Sequence, residues 1–284
     1  MKIQEVINSI KQYHKGTVDG TAIDEQTTRD QILYGDPHQE CTGIVTTCWA
    51  TADVLTKAAQ MGANLVIAHE ALFWNHGDHI DWLKETHNQT FEAKAKLLDD
   101  TGIVVWRNHD YIHSGIPMED GSYTDGIFYG VAEKLGWTSY IVKDIHNPLR
   151  FELPQTTVRE LAEQLIEKLK LNGVKIIGDL DQTVTKVRIP FHILGDARDL
   201  ITEIDQEGTD CLLTMEVVDF TVAEYIRDSS MLGLNKAIIG MGHFNLEEPG
   251  MDYMLKYLPK ILPEEIPTFY IQSGDMYDYV TKKK

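Results

Sequence analysis

The chain contains an internal repeat, and this repeat limits the folds that it can adopt. The segment DVLTKAAQMGANLVIAHEALF, residues 53 to 73, lines up without a gap with the first 21 residues of DLITEIDQEGTDCLLTMEVVDF, residues 199 to 220, at an offset of 146. The segment IVVWRNHDYIH, residues 103 to 113, lines up with AIIGMGHFNLE, residues 237 to 247, at an offset of 134. One such match can arise by chance between short apolar strands. Two matches in the same order predict two related halves.

Apolar runs alternate with stretches of helical periodicity along the chain, which predicts an α/β protein with mostly parallel sheets. The predicted strands are Gly43 to Thr47, Asn64 to Ala68, Ile103 to Trp106, Lys186 to Phe191, Cys211 to Thr214 and Ala237 to Gly240. The predicted helices are Ala50 to Met61, Thr90 to Thr101, Gly126 to Leu135, Thr157 to Leu169, Ala197 to Glu207, Val217 to Ser229 and Gly250 to Tyr257. We expect two structurally related α/β halves that face each other across a pseudo-twofold axis.

The boundary between the halves is predicted in NPLRFELPQTTV, residues 147 to 158, where two prolines and an N-cap threonine begin a new helix. This gives one half at residues 1–150 and another at 151–284, and it leaves open that the two are intertwined as one unit. At the N-terminus, Ile3, Val6, Ile7 and Ile10 have the spacing of an amphipathic helix that lies on the core.

Composition and charge exclude several classes of protein. Hydrophobic residues make up 43% and charged residues 25% of the chain, as in ordinary globular proteins, and only Lys282 to Lys284 are a candidate for disorder. The net charge of −18 argues against a nucleic-acid-binding surface, although a nucleotide could bind through a metal. There is neither a signal peptide nor an apolar run of about 20 residues. The three cysteines lack a CxxC motif, which favours buried free thiols in a reducing cytoplasm.

Histidines and carboxylates follow three of the predicted strands, where a parallel sheet places its ligand-binding crevice. His69 and Glu70 end one strand, and His109, Asp110 and His113 follow the next. His243 and Glu247 follow the corresponding strand of the second half. Because imidazole nitrogen and carboxylate oxygen suit divalent transition metals, these strand ends predict a metal site shared by the two halves. A carboxylate among the histidines could bridge two ions.

Each group is weak alone, because a single histidine at a strand end is more often a hydrogen-bonded structural residue. His76 and His79 lie in a polar loop and are expected to be solvated rather than liganding. The GDARD segment at 195 to 199 reads as a turn from strand to helix, since it lacks the pattern of a phosphate-binding loop. The absence of G-x-S-x-G gives no support to a serine hydrolase.

Four segments resemble, in order, the blocks of the Nif-three-like dinuclear-metal-centre hexameric proteins. They are GANLVIAHEALF, RNHDYIH with SYTDGIFYGVAEKLGW downstream, GTDCLLTMEVVDF and GMGHFNLEEPG, and the likeness runs from about residue 40 to residue 255. The resemblance implies the Nif-three-like fold, a site for two divalent ions (Zn, Fe or Mn) and assembly into a hexamer.

The resemblance also implies which residues bind metal. His69 matches the first family histidine, His243 and Glu247 match the closing His and the bridging Glu, and His109 matches the opening histidine of its block. Glu70 stands where the family usually has a second histidine, so the chain is similar to a divergent branch with His-Glu in place of His-His. His113 stands where the family has its aspartate ligand, and Ala71, Met215 and Glu216 are smaller departures.

Together these features predict a metal-dependent hydrolase that acts on a nucleotide or phosphoester, similar to GTP cyclohydrolase type 2. The predicted metal ligands are His69, Glu70, His113, His243 and Glu247, with His109 or Asp110 as orienting group or proton shuttle. The alternative is a non-catalytic, metal-binding hexameric scaffold or ligand sensor. A third reading makes the histidines structural, in a chain that binds no metal.

Overall fold

The computed structural model of the protein describes residues 1–193 and 197–281. The predicted turn at 195 to 199 and the lysines at 282 to 284 therefore fall partly or wholly outside the described residues. The strands are β1 (Thr17–Val18), β2 (Thr21–Ala22), β3 (Ile32–Tyr34), β4 (Ile44–Thr47), β5 (Leu65–Ala68), β6 (Val104–Arg107), β7 (Ile116–Pro117), β8 (Tyr123–Thr124), β9 (Arg150–Thr157), β10 (Lys175–Ile177), β11 (Thr183–Arg188), β12 (Cys211–Thr214), β13 (Ala237–Gly240) and β14 (Thr268–Tyr270). The helices are α1 (Ile3–Tyr13), α2 (Ala52–Gln60), α3 (Asp81–Glu85), α4 (Gln89–Thr101), α5 (Asp110–Ser114), α6 (Gly126–Leu135), α7 (Val158–Leu169), α8 (Arg198–Glu207), α9 (Val222–Met231), α10 (His243–Tyr253) and α11 (Leu258–Ile261).

The chain forms two compact units, and each is discontinuous in sequence. Unit 1 consists of Met1–Gly130 and Gly250–Ser273. Its main sheet has the strand order β14-β4-β5-β6-β3, with β3 antiparallel to β6 and the other neighbours parallel. Every residue of β4, β5 and β6 is buried. These strands are largely apolar because a parallel strand is covered on both faces, and their buried polar residues are Thr46 and Thr47 in β4 and Arg107 in β6.

Unit 2 consists of Val131–Pro249 and Gly274–Lys284. Its sheet has the order β10-β13-β12-β11-β9, in which β11, β12 and β13 are parallel and the two edge strands antiparallel. The α/β class with parallel-containing sheets is therefore confirmed. The compact units divide the chain at residues 130, 249 and 273, whereas the sequence suggested one boundary at 150. Residues before 150 pack on β9, since the rings of Trp137 and Phe151 lie 5.2 Å apart.

The repeat is visible in equivalent hydrogen bonds of the two sheets. In unit 1 the Asn64 side chain accepts a hydrogen bond from the Thr42 N–H, at 2.8 Å. In unit 2 the Asp210 carboxylate, 146 positions later, accepts one from the Thr185 N–H, at 2.9 Å. Each side chain thus tethers the neighbouring parallel strand near its start, since Thr42 lies just ahead of β4 and Thr185 lies in the first half of β11. The strands β4, β5 and β6 correspond in this way to β11, β12 and β13.

The register of the third strand of the repeat differs by one residue from the sequence alignment. The Asn64 carbonyl accepts from the Val104 N–H, and the equivalent Asp210 carbonyl accepts from the Ala237 N–H. These contacts pair Val104 with Ala237, which is an offset of 133 rather than 134. The alignment was wrong here because a short apolar strand carries no side chain that marks its register.

With the corrected register, the residues that follow β6 match different residues after β13 than the sequence alignment gave. Helix α5 begins at Asp110 and helix α10 at His243, so His243 occupies the place of Asp110 and not that of His109. His113 and Glu247 are likewise not equivalent, although each lies about one turn into its helix. The two halves therefore present different polar groups at corresponding places.

Helix α10 begins seven residues earlier than the predicted helix at Gly250. Pro249 lies inside it, and an interior proline ordinarily ends a helix because it lacks an N–H donor. Helix α9 begins at Val222 rather than Val217.

The N-terminal helix is confirmed, with Ile3, Val6, Ile7 and Ile10 buried on one face. Within the described residues, no helix has the length and apolarity to cross a membrane.

Two features of the main sheets were not predicted from the sequence. The edge strands β3, β10 and β14 have only three residues each, and no fully buried residue among them. Strand β9 runs through the segment predicted as a boundary. It holds Pro154, and its ladder is irregular between Val184 and Lys186, as expected for a proline tolerated on an edge strand. Cys48 and Cys211 are buried free thiols, as predicted, and Cys41 is half-buried.

Gly35 and Gly178 occupy equivalent positions beside β3 and β10, where each approaches the neighbouring strand closely. Gly35 has φ +85°, and a Cβ there would lie 2.9 Å from the Ile103 carbonyl oxygen. Gly178 has φ +123°, and its Cβ would lie 3.0 Å from the Lys236 carbonyl oxygen. Both halves thus need glycine at this place, for backbone conformation and for space.

We expect Gly35→Ala to destabilise unit 1 by more than the backbone conformation alone would explain. The left-handed conformation costs a non-glycine residue about 1–2 kcal/mol, and the close approach adds about 1–3 kcal/mol of overpacking. Gly20→Ala is the matched control, because Gly20 has φ +78° and open space around it. Urea denaturation of both variants measures the difference. Equal losses would show that the close approach to Ile103 is of no energetic consequence.

Candidate metal centres

Three histidines of unit 1 form a compact group, here called the three-histidine cluster. His69 follows β5, His109 immediately precedes α5, and His113 lies within that helix. The His69 and His109 rings are stacked with centroids 4.6 Å apart, and the His113 ring lies 5.0 and 5.1 Å from them. One ligand atom from each residue lies within 4.8 Å of the others. The strand end and the short helix therefore bring together side chains that are 44 residues apart in sequence.

The tautomers of His69 and His113 follow from the partners of their Nδ1 atoms. His69 Nδ1 lies 3.1 Å from the Asn108 carbonyl oxygen, and His113 Nδ1 lies 2.8 Å from Asp125 Oδ2. Both partners can only accept, so each Nδ1 carries the proton and the lone pair is on Nε2. Asp125 is itself held by the Ile127 and Phe128 N–H groups at the start of α6. This is how metal-binding histidines are usually oriented.

His109 has the same arrangement, with Asp110 as its partner. His109 Nδ1 lies 2.9 Å from Asp110 Oδ1, and Asp110 Oδ2 accepts hydrogen bonds from the Thr28 hydroxyl and the Arg29 N–H, both at 2.8 Å. Burial raises the pKa of Asp110, but its hydrogen bonds with His109, Arg29 and Thr28 lower it more, and the net pKa is well below the usual value. Asp110 is therefore a carboxylate that holds the His109 ring.

The buried position of His69 keeps its imidazole neutral. The side chain is fully buried, and burial, followed by the nearby His109 and His113, lowers the pKa of His69 well below its usual value. A neutral imidazole is the form that binds a metal ion. His69 can therefore bind a metal ion at neutral pH without first losing a proton.

Glu70 is held by Arg107, a functional residue that the sequence interpretation missed. Arg107 is fully buried at the end of β6, and its Nη2 donates to Glu70 Oε2 at 3.1 Å. Its Nη1 donates to Asp78 Oδ2 and to the His76 carbonyl, both at 2.8 Å, and its Nε donates to the His69 carbonyl at 3.0 Å. One guanidinium thus fixes both the strand end at His69 and the loop that follows it.

His76 and His79 are exposed in their loop, as predicted. His76 is nevertheless near the cluster, since its ring centroid lies 5.5 Å from that of His109 and its Nδ1 lies 3.2 Å from Arg107 Nη2. Partial burial, followed by the Arg107 charge, lowers the pKa of His76. Its neutral form can accept the Arg107 hydrogen bond.

Unit 2 contains a second group, here called the carboxylate-bridged cluster, of His192, Glu216, His243 and Glu247. Glu216 Oε2 lies 2.9 Å from His192 Nδ1, and Glu216 Oε1 lies 2.5 Å from His243 Nδ1. His243 Nε2 lies 3.0 Å from Glu247 Oε2, one helical turn further along α10. Burial raises the pKa of Glu216, but the hydrogen bonds from His243 and His192 lower it more. Glu216 is therefore ionised and orients both imidazoles.

Two members of this cluster were missed as site residues, although the sequence held a signal for each. Glu216 is the repeat partner of Glu70, and their positions correspond in the two sheets. His192 directly follows the predicted strand that ends at Phe191. The rule that polar residues at strand ends form the site would have found both.

The donor set of each cluster is imidazole nitrogen with carboxylate support, which suits Zn, Fe or Mn. Residues 1–275 match the sequence profile of the Duf34/NIF3 (NGG1p interacting factor 3) family. The chain belongs to the DUF34/NIF3 family. A relative from Clostridium perfringens named "GTP cyclohydrolase 1 type 2 homolog" is 24% identical over 258 residues, which cover 88% of each chain. A Bacillus subtilis protein of the same name is 34% identical over 90 residues, or 32% of this chain and 22% of that protein.

Solved structures of similar fold cover nearly the whole DUF34/NIF3 chain. A Bacillus cereus protein related to NIF3 has a TM-score of 0.68 and 14% identity, with 99% of each chain covered. A hypothetical protein of Staphylococcus aureus has a TM-score of 0.67 and 16% identity, again with 99% of each chain covered. These likenesses confirm the fold predicted from the family resemblance.

The structure of this DUF34/NIF3 protein groups the predicted site residues by unit. It brings His69, His109 and His113 together, with Asp110 beside His109. In unit 2 it brings His243 and Glu247 together. Glu70 lies beside His69 in sequence but its carboxylate is engaged by Arg107. His109 was predicted as an orienting group or proton shuttle, and the geometry adds it to the candidate ligands.

Proposed function

We propose that the three-histidine cluster binds a divalent metal ion. The observation that carries the proposal is the common orientation of its imidazoles: each Nδ1 hydrogen bonds to an oxygen, which places each lone pair on Nε2. Three rings that merely stabilised the fold would have no need of the same tautomer. The donors fit Zn, Fe or Mn, and the identity of the ion is left to measurement.

We propose a second ion at His243 and Glu247, which gives two ions per chain, and we keep Glu70 as a ligand. The family resemblance supports both assignments. Glu70 stands at the second histidine position of the divergent His-Glu branch, where its charge is balanced by Arg107. That the two clusters serve one dinuclear centre stays a prediction of the sequence. Magnetic coupling between two bound Mn(II) ions would test it.

The reaction that we propose is the hydrolysis of a nucleotide or phosphoester, similar to GTP cyclohydrolase type 2. The names of the C. perfringens and B. subtilis relatives support this class. A bound divalent ion supplies Lewis-acid polarisation of a phosphoryl group or ring carbon. Asp110 accepts the hydrogen bond from His109 Nδ1 and is the group that orients this metal ligand.

Metal content after purification without chelators is the first test of the proposal. We expect about two ions per chain by elemental analysis, in line with the two-metal sites of hydrolytic enzymes. His243→Ala should lower the content by one, and His38→Ala, a change at an exposed histidine, should leave it unchanged. Less than about 0.2 ion per chain, a trace level for a structural or catalytic site, would contradict the proposal if added Mn, Fe and Zn also fail to bind.

Turnover distinguishes the hydrolase from the alternative, a non-catalytic scaffold or ligand sensor. Metal-loaded protein should release product from at least one member of a nucleotide and phosphoester panel, and His243→Ala should abolish that activity. Activity that persists in His243→Ala would refute metal-dependent hydrolysis at this residue. Ligands that raise the melting temperature without turnover would favour the sensor.

We also propose a homo-oligomer, with a hexamer as the family resemblance implies, in the cytoplasm. Exposed apolar side chains at the end of α9 support self-association, because Met231, Leu232 and Leu234 are 70%, 74% and 58% exposed. The free thiols support a reducing compartment. Light scattering should give the mass of six 32.3-kDa chains.

A further inference from the structure

Unit 2 contains a cavity of about 420 Å³ that borders the carboxylate-bridged cluster. Its walls come from the residues that follow β12, the end of β13, the start of α10 and the segment at 276–279. Small-molecule sites usually have volumes of about 300–1,000 Å³, apolar walls and a few polar groups. Because Glu216 and His243 line this cavity, a bound molecule would lie against the cluster.

The apolar walls favour a flat aromatic occupant. Met215, Met241 and Met276 contribute thioethers, and Phe244 and Tyr277 contribute rings. Methionine sulfur makes favourable contacts with aromatic rings and adapts to their shape. Aromatic side chains stack on a planar ligand at little cost in conformational entropy. An aliphatic ligand would make weaker contacts with these thioethers and rings.

Two polar groups of the cavity can accept hydrogen bonds, the buried Asn245 and the partly exposed Glu216. Asn245 is 4% exposed, and its Nδ2 donates to the Met241 carbonyl at 2.8 Å and to Asp275 Oδ1 at 3.3 Å. Both partners are acceptors, so the amide orientation is determined, and Asn245 Oδ1 has no hydrogen-bond partner among the described residues. The Glu216 carboxylate is a second acceptor on the wall. A buried carbonyl without a donor is costly, so a ligand that supplies an N–H is favoured.

Lys175 adds a positive charge to the same cavity. Its Nζ lies 5.5 Å from the centre of the Tyr277 ring, and the residue is exposed. The ring and the ammonium together provide a place for an acidic substituent on an aromatic ligand. The chain has a net charge of −18, and Lys175 provides a local positive charge that attracts an anionic ligand.

We propose that this cavity binds an amino-substituted heteroaromatic ring that carries a phosphate, with the amino edge toward Asn245 and Glu216 and the phosphate at Lys175. The inference deepens the proposed function, because it names a class of substrate. Binding by the cavity does not require a metal. Measurements on chelator-treated protein therefore separate a failure of this inference from a failure of the metal proposal.

The test is calorimetric titration of the whole, metal-free chain with matched nucleotides. AMP, GMP and CMP are the first probes, and at least one should bind with a Kd below about 1 mM, the range of weak specific binding. AMP should bind at least about tenfold more tightly than purine riboside 5′-monophosphate, which lacks only the amino group. Equal binding of that pair, or no binding by any of the three probes, would overturn the inference.

Three variants test whether the ligand binds in this cavity. The wild type should bind AMP more tightly than adenosine, because only AMP carries the phosphate that Lys175 attracts. Lys175→Met should remove this preference, whereas Lys170→Met, at an exposed lysine that does not line the cavity, should keep it. Asn245→Ala should remove the preference for the amino group. If Asn245→Ala does not fold, the wild-type comparison of AMP with purine riboside 5′-monophosphate still decides. An unchanged preference for AMP over adenosine in Lys175→Met would refute the assignment.

Discussion

Replacement of Arg107 by methionine is expected to lower the free energy of unfolding by about 3–5 kcal/mol, the usual cost of breaking a buried ion pair from one side. The fully buried guanidinium balances the charges of Glu70 and Asp78 and donates to two loop carbonyls. Methionine fills similar space but leaves both carboxylates without their counter-charge. Urea denaturation followed by circular dichroism measures the change.

A surface ion pair is the control for this result. Arg159 and Asp181 are paired at 3.1 Å with side chains that are 47% and 78% exposed, so Arg159→Met should cost less than about 1 kcal/mol. Adding Glu70→Gln and Asp78→Asn to Arg107→Met should recover part of the loss, because it removes the uncompensated charges. A loss in Arg107→Met no larger than that in Arg159→Met would show that Arg107 is not the anchor of the loop.

Replacement of His113 by alanine is expected to weaken metal binding at the three-histidine cluster by more than about 100-fold. Loss of a hydrogen-bond partner behind a metal ligand already costs about 10- to 100-fold, and loss of the ligand itself should cost more. Competition titration with a chromogenic chelator measures the affinity. The variant removes a side chain that is 25% exposed, so the fold should tolerate it.

Two further variants test whether His113 acts as a ligand. His113→Asp installs the residue type that the family resemblance places here, and it should retain more affinity than His113→Ala. His38→Ala changes an exposed histidine outside the cluster and should bind metal as the wild type does. Equal affinities of His113→Ala and the wild type would refute the cluster as a metal site.

The central strands could be predicted because each is an apolar run bounded by polar residues. Strands β12 and β13 have the predicted bounds, and β4 and β5 differ by one residue at their starts. Burial on both faces leaves little freedom in composition, so the pattern is strong. The edge strands lack this constraint, and tertiary contacts decide where they form.

The candidate-site residues that follow strand ends could be predicted from the sequence. Arg107 could not, because it is buried in a position where arginine is usually exposed. Arg107 ends an apolar run, and an arginine there usually reaches solvent. Only the fold shows that Glu70 and Asp78 surround it. His192, by contrast, directly follows the predicted strand that ends at Phe191, so the strand-end pattern indicates it in the same way as it indicates His69.

Strand β14 has a consequence for the order in which the chain can fold during synthesis. It pairs with β4 in parallel, so that Thr268, Phe269 and Tyr270 lie beside Ile44, Val45 and Thr46. A ribosome must add more than 220 residues after β4 before this neighbour exists. Until then the edge of β4 that will pair with β14 has no neighbour, although all residues of this strand are buried in the complete fold. Such an edge can pair with other nascent chains. Unit 1 should therefore depend on chaperones while the polypeptide is still growing.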